Sequence, residues 1–479
     1  MLRHRINDRC GIVGDPMPVR GRGFFQGMGW IFLALAHALI LLHGAVPGHA
    51  QEIVQQVRIT GSPNPVGSGA RALGMGGAFM AVADDATAAS WNPGGLIQLE
   101  RPEISVVGSY ARTKEDYSSS SHPEASTHAS FDHADLNYLS AAFPFQLFGR
   151  NMVISLNLQR LYEFEKDLDF SYTNRGHIDA WSRFSLTQDI SFDQEGALKT
   201  ISPAYCVQIT PRLSVGATLN FWTDAFFDNG WDESYRAKGS GDLNVLGSAN
   251  PFTTSVRIED TYDDLEGFNF HVGFLWDVTP MITVGGVFKS PFTAEFRHKK
   301  RISIAQRYPD LPDAGTQFDS SFSENVEIDF PMSYGLGVAF RFTDAFTCAL
   351  DVFRTEWDDF LYRDGRGRKT SPFDGRPVSL SRVEETHQVR LGAEYLFIFE
   401  RTVVPLRFGI FYDPQPAEGD PEDFYGVSIG SGVMIGPLVL DAAYQFRFGR
   451  DVNGDVIGIP GTDADVDQHK VYVSAIYHF

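Results

Sequence analysis

The stretch from Arg71 to Gly95 reads RALGMGGAFMAVADDATAASWNPGG. It holds an acidic pair, Asp84 and Asp85, and an Asn92–Pro93–Gly94 step within a run of small residues. The carboxylates can bond arginines of a surrounding wall or nearby main-chain amides. They act either as fixed structural partners or as a moving switch. Asn92 can satisfy neighbouring backbone groups and Pro93 fixes the chain, so the step reads either as a simple turn or as the pivot of a gate. Further along, Arg341, Asp351, Arg407, Asp441 and Arg447 share one side of alternating segments. Such a set can pair internally, and an arginine among them, Arg341 or Arg407, can hold a ligand carboxylate through its planar fork. Phe79, close to Asn92 and Pro93, is the candidate apolar contact for a ligand in an internal pocket.

Other chemistry is not encoded in recognisable form. There is no zinc-protease helix motif, phosphate loop, dinucleotide fingerprint or GxSxG elbow. We therefore expect no enzyme and no cofactor. Asp451, Asn453 and Asp455 alternate as at the start of a calcium loop, but Thr462 stands where the bidentate glutamate belongs. A solvated turn and no metal are expected there. Cys206 and Cys348 lie in no metal-like cluster and read as packing residues.

These residues are positioned by a chain built for strands. It is rich in glycine and in aromatic residues, a composition that suits sheets and turns better than helices. In LSVGATLNFW, Leu213, Val215, Ala217, Leu219 and Phe221 share one face, and Ser214, Gly216, Thr218 and Asn220 the other. Similar period-two segments recur from about residue 103 to the end. At about ten residues they fit tilted strands crossing a bilayer. Short connections such as ITPR, DVTP, RFTD and IGP alternate with long charged ones near 113–131, 223–265, 293–327, 359–384, 414–423 and 449–467. Fourteen strands fit between these turns, with 166–195 a strand-like extension of an external loop. Trp222, Trp276 and Trp357, near strand ends, are expected at the membrane interface.

Arg20 and Arg22 precede the apolar run Trp30–Leu42 and a small-residue site ending at Ala50. This reads as a secretory signal over 1–50, with translation starting at Met1, Met17 or Met28. The first fifty residues carry five basic and two acidic side chains, so a net charge of −20 becomes −23 for the remainder. That balance argues against nucleic acid. Phe479 resembles the terminal recognition residue of bacterial outer-membrane proteins. The fold class expected is all-β, a 14-stranded antiparallel transmembrane barrel over 103–479. A compact element over 51–102 would occupy its lumen, facing inward glycines such as Gly216, Gly273, Gly285, Gly335 and Gly337. Both termini would lie in the periplasm.

The 71–95 stretch resembles the amino-terminal hatch of the FadL-type long-chain fatty acid transporters, the OmpP1/FadL/TodX family. NPGG at 92–95 stands where that family usually has Asn-Pro-Ala, so Gly94 is a departure that could loosen the turn. LEGFNFHVGFLWDVTPMITVGGVFKSP at 265–291, FPMSYGLGVAFRFTDAFTCALDVFRTEWDDF at 330–360, VRLGAEY at 389–395 and VPLRFGIFYDPQP at 404–416 agree in order. The resemblance implies passive, ligand-gated uptake of fatty acids, alkanes or small aromatics across the bacterial outer membrane. The hatch would move to release the ligand, and a kinked third strand would open sideways, although nothing in NMVISLNLQRLYEF reveals a kink. The expected surroundings are outer-membrane lipid and lipopolysaccharide around a monomer. The alternative is a non-transporting barrel that binds or shuttles exported lipid or protein partners.

Overall fold

The computed structural model describes residues 67–373, 375–453, 459 and 461–479. The expected signal segment 1–50, residues 51–66 of the expected hatch and the middle of the 451–462 loop lie outside the described residues. In chain order come two short helices, α1 (Ala70–Gly74) and α2 (Ala88–Trp91), and a 3-10 turn over Pro93–Gln98. Nineteen strands follow: β1 (Glu103–Ser119), β2 (Thr127–Leu147), β3 (Arg150–Asp179), β4 (Ser182–Thr210), β5 (Leu213–Thr223), β6 (Gly230–Val245), β7 (Ser248–Thr279), β8 (Ile282–Lys289), β9 (Phe292–Arg307), β10 (Thr316–Phe330), β11 (Ser333–Thr343), β12 (Phe346–Thr355), β13 (Leu361–Arg363), β14 (Lys369–Thr370), β15 (Thr386–Ile398), β16 (Thr402–Tyr412), β17 (Phe424–Ile435), β18 (Leu438–Asn453) and β19 (Thr462–His478).

Fourteen of them close a ring: β1 to β5, then β7, β8, β11, β12 and β15 to β19, every neighbour antiparallel. β19 returns to β1 from Glu103↔His478 to Ser119↔Thr462. Closure leaves no open edge for lipid to desolvate. The alternation read from sequence sets the two faces. On β16, Leu406, Phe408 and Ile410 point outward and are exposed, while Arg407 and Phe411 are buried inward. The fourteen expected wall segments coincide with these strands.

Above the ring, β3, β4 and β7 run on for twice the length a bilayer crossing needs. The 166–195 stretch continues the β3–β4 ladder to Asp179↔Ser182, as its alternation suggested. β6, β9, β10, β13 and β14 add to the upper parts of β4 and β7. The 223–265 and 293–327 regions, read as loops, are therefore largely strand. Their outward residues are charged, which masked an inward apolar series: Trp231, Tyr235, Ala237 and Leu243 on β6 are all buried. Leu168, Phe170, Ile190, Phe192 and Val256 from this extension pack with Tyr117, Phe424 and Val466 from the other side of the ring.

The outward face predicts its own failure mode. Leu391, mid-strand and 46% exposed, replaced by Arg, should lower barrel stability in lipid vesicles by about 2–4 kcal/mol, the cost of a cation at the bilayer midplane. Urea titration of folded and unfolded bands on a gel reads this directly.

Candidate functional site

Residues 67–102 are almost wholly buried, and their contacts fall on the inward residues of the wall. A segment of short helices and turns leaves many main-chain groups without internal partners, and burial demands that each find one. Wall side chains supply them. Phe79 and Met80 N–H donate to Asp351 Oδ2 at 2.8 and 2.7 Å. Ala70 N–H donates to Ser474 Oγ (2.7 Å) and Ala86 N–H to Glu103. In the other direction, Tyr138 donates to Ala86 O, Thr218 to Ala89 O, Ser214 to Gly94 O, Arg390 to Gly76 O and Ser428 to Gly74 O, all within 2.7–3.0 Å.

Where the segment comes nearest, the wall has no side chains. A Cβ on Gly285 would stand 2.5 Å from Met80 O, and one on Gly216 or Gly273 would overlap Pro93 O or Asn92 Oδ1. The inward glycines picked out from sequence thus face the segment. Gly392, Gly409 and Gly430 complete the set against Met75, Gly76 and Gly74; they follow the same alternation.

Asn92 spans both partners. Its Nδ2 donates to Met80 O (2.9 Å) within the segment and to Phe274 O (2.8 Å) on β7, and its Oδ1 accepts from Gly94 N–H at 3.0 Å. Within this turn the Gly94 N–H is held by the Asn92 side chain. A Cβ there would lie 2.7 Å from the Phe274 backbone, so the residue that departs from the family pattern permits direct approach to β7. Cys206, buried beside it, packs its thiol toward Gly94 O.

The charged candidates separate. Asp84, Arg71, Glu394, Arg407 and Asp441 form one chain of alternating sign. Arg71 bonds Asp84 and grips both oxygens of Glu394 (2.9 and 2.8 Å); Arg407 bonds Glu394 (2.6 Å) and Asp441 (2.5 Å). Arg407 thus gives Nε and Nη1 to two buried carboxylates, while its Nη2 has no hydrogen-bond partner. Asp85 caps locally, accepting from Thr87 N–H at 2.8 Å and from its hydroxyl. Burial raises its carboxyl above the ordinary range, against the pull of Arg71 and Thr87. Arg341 has the inward parity of Gly335 and Gly337 but lies at the short-turn rim, exposed, away from this network. Phe79 is fully buried, edge-on to Trp91 at 5.9 Å; its ring packs inside the segment.

One or two same-face positions beyond the glycine contacts lies a polar band: Gln159, Asn220, His271, Lys289, Gln388 and Arg390, all buried. Asn220 meets His271 at 3.0 Å, and Arg390 pairs with Asp413 at 3.3 Å. His271 and Lys289 share the parity of Gly273 and Gly285, a signal present in the sequence. Higher still, Tyr162, Trp222, Phe292, Phe330, Trp357 and Phe360 pack ring to ring at 4.8–6.0 Å, stacked for Trp222–Phe292 and Phe292–Phe330 and tilted or edge-on for the rest. Trp222 and Trp357 are thus inward and buried, not interface anchors; Trp222 shares the face of Thr218 and Asn220. Trp276 does face outward, 47% exposed.

The wall has one discontinuity beside this band. The β2–β3 ladder stops at Tyr138↔Gln159. Register shifts occur there on both sides, where Asn137 bulges from β2 and Leu161 from β3. Beyond them, among the described residues, side chains bridge the two strands, Asp135 to Arg160 and His133 to Glu163, and farther along Thr127 donates its hydroxyl to Asp169 O at 2.6 Å. A bulge depends on a partner's register, which explains its silence in the third strand's sequence. Among the described residues no group of three His, Cys, Asp or Glu side chains is placed to hold a metal.

Two substitutions test this arrangement. Arg407→Leu leaves Glu394 and Asp441 buried without their shared cation and should destabilise the barrel by about 3–5 kcal/mol, read by urea unfolding. Gly94→Ala should leave overall stability near that of the parent while speeding amide exchange across 92–98, because only the seat against β7 is lost; unchanged exchange would remove Gly94 from that role.

The model of outer membrane protein transport proteins (OMPP1/FadL/TodX) matches residues 65–456. A FadL homologue of Pseudomonas aeruginosa superposes over 86% of this chain and 98% of its own, with 16% identity and a TM-score of 0.55. The Pseudomonas putida toluene transporter TodX superposes over 88% of this chain and 100% of its own, with 14% identity and a TM-score of 0.54. No curated protein matches in sequence. At such identities the structural likeness establishes the fold, while the family model spans most of the chain. The chain belongs to the OMPP1/FadL/TodX family of bacterial outer-membrane transport proteins, β-barrel channels for hydrophobic compounds and not enzymes.

Proposed function

We propose that the protein takes up long-chain fatty acids and related amphipathic hydrocarbons by passive diffusion, gated by residues 51–102 acting as a hatch inside the barrel. In this reading 1–50 is the export signal, 103–479 the barrel, both termini lie in the periplasm, and the upper extension stands outside the cell. The barrel works as a monomer.

The observation that carries the reading is the seat of residues 67–102. They meet the wall through hydrogen bonds and bare glycines beside small apolar contacts such as those to Ala142, Ala204, Ala339 and Ala349, and the hydrogen bonds are contacts that can exchange as the segment moves. Above them a ligand would meet the stacked aromatics first and the polar band next. Each buried methylene contributes about 0.8 kcal/mol, so an alkyl chain against Tyr162, Trp222 and Phe330 needs little more than one polar contact for its head. His271, Lys289 and Arg390 favour a carboxylate there, in contrast to the acidic character of the whole chain. The ligand would leave through the β2–β3 discontinuity. Asn92, Pro93 and Gly94 would carry its arrival to the hatch, with Asp84 and Asp85 holding the resting position through Arg71 and Thr87. Phe79 contributes from within the hatch as the packing partner of Trp91. Arg341, at the rim, and Arg407, held by Glu394 and Asp441 with its Nη2 left without a hydrogen-bond partner, come second to Lys289 and Arg390 as ligand contacts in this reading.

Uptake of labelled oleate, hexadecane and toluene by cells with and without the protein tests the substrate class, given verified surface expression. Oleate should depend on it most; dependence on none of the three would favour a lipid- or protein-shuttling barrel instead. Lys289→Met should weaken oleate uptake by about tenfold, or 1.4 kcal/mol, and leave toluene entry unchanged. Removal of residues 51–95 should give a barrel that inserts and conducts ions more freely in planar bilayers.

A further inference from the structure

The extension, formed by upper β3, β4 and β7 with β6, β9 and β10, joins the ring along a narrow line. β5 ends at Thr223 and β6 begins at Gly230; β8 ends at Lys289 and β9 begins at Phe292; β10 ends at Phe330 and β11 begins at Ser333. The strands that run unbroken from ring to extension are β3, β4 and β7. β4 exchanges β5 for β6 between Thr200↔Trp222 and Ala197↔Gly230. β7 makes the same exchange between Thr223↔Glu266 and Trp231↔Tyr262.

Each of the three continuous strands is irregular at this level. Leu161 bulges from β3. β4 carries Gly196, where a Cβ would overlap Gly230 O and Trp231. β7 slips register between Asp263 and Glu266, with Asp264 at φ 56°, the left-handed region that aspartate enters more readily than most residues. Phe164, Gly196, Trp231 and Tyr262 form one row across the sheet, and all three irregularities fall within three residues of it. Bulges bend a strand, and a few such positions in line are what a hinge needs.

Beyond the line the sheet leans across the ring. Leu168, Phe192 and Val256 share one buried cluster with Tyr117, Phe424 and Val466 of the far wall. A polar clasp lies at its edge. The Lys166 ammonium, buried on β3 just past the bulge, bonds the Glu115 carboxylate and Tyr117 Oη (2.6 Å) of β1, and the Tyr117 hydroxyl donates to Glu115 at 2.7 Å. In water the cluster holds this sheet down, because lifting it would expose those side chains. An apolar ligand entering between sheet and wall covers the same side chains and offsets that cost, which a polar solute cannot do.

We propose that the extension is a hinged lid: it turns about the Leu161–Gly196–Asp264 line, is clasped to β1 by Lys166, and lifts for an apolar ligand to reach the aromatic rings below. The inference rests on the uptake reading given above.

The test uses the full-length protein in lipid nanodiscs, with Cys206→Ser and Cys348→Ser, and nitroxides on Lys238→Cys and Asp463→Cys. Both sites are exposed, each next to a member of the buried cluster, Ala237 on β6 and Ala464 on β19. Pulsed electron-spin measurement should give one distance at rest and a second, longer population with oleate. Lys166→Met should show the longer population without any ligand. If that variant loses its heat-dependent gel shift, Glu115→Gln should show it instead. One unchanged distance in the folded clasp variant would overturn the lid, as would one unchanged distance at saturating oleate in a protein that carries oleate into cells. The clasp arm needs no ligand. It therefore judges the lid even where uptake of oleate, hexadecane and toluene is independent of the protein, the result that would refute the uptake reading instead.

Discussion

Main chain meets main chain where residues 67–102 approach the wall, and the rest of the arrangement depends on that contact. Glycine at 216, 273, 285, 392, 409 and 430 removes the side chains that would hold the two apart. Once the backbones are this close and dry, every amide and carbonyl must find a partner. Ser214, Thr218, Asp351, Arg390, Ser428 and Ser474 each satisfy one or more. Apolar wall residues such as Val107, Val153, Val287 and Phe353 pack against the segment as well. Burial and hydrogen bonds therefore hold it together, and the hydrogen bonds are the part that can be exchanged for others at modest net cost.

The charge chain from Asp84 to Asp441 follows from the same dryness. An isolated ion inside the ring is costly, and a chain of alternating ions with short hydrogen bonds is the arrangement that tolerates burial. Arg71 belongs to the inner segment, and Glu394, Arg407 and Asp441 belong to β15, β16 and β18. The network therefore ties the segment to one side of the ring. The wall's discontinuity, between β2 and β3, lies on another. The polar band above the glycines and the stacked aromatics above it complete a gradient along the axis, from hydrogen-bonded seat to polar shelf to apolar mouth.

Much of this was legible beforehand. Period-two alternation located all fourteen wall strands, because a wall with lipid outside and polar contacts inside forces strict alternation. The small residues of 71–95 and the inward glycines announced a close approach. Alternation tells which face a residue takes but not its height along the axis. Arg341 and Arg407 look equivalent in sequence, yet one is at the rim and the other in the buried network. Parity with Asn220 points Trp222 inward, where it is buried, so parity is a stronger guide to a tryptophan's side than proximity to a strand end. The bulges at Asn137 and Leu161 left no local trace, since a bulge is a property of two strands in register. The strands of 223–265 and 293–327 were hidden by charge on their outer face.

The central claim is that the segment must shift against its seat for a ligand to pass. A single disulfide tests it. In a background of Cys206→Ser and Cys348→Ser, Ala70→Cys and Ser474→Cys place two thiols where the segment touches the wall, Ala70 N–H lying 2.7 Å from Ser474 Oγ. Uptake of labelled oleate by cells should fall, once the bond is complete by non-reducing gel, to the level of cells lacking the protein, and return on reduction. Equal uptake by the fully crosslinked and the reduced protein would contradict the account.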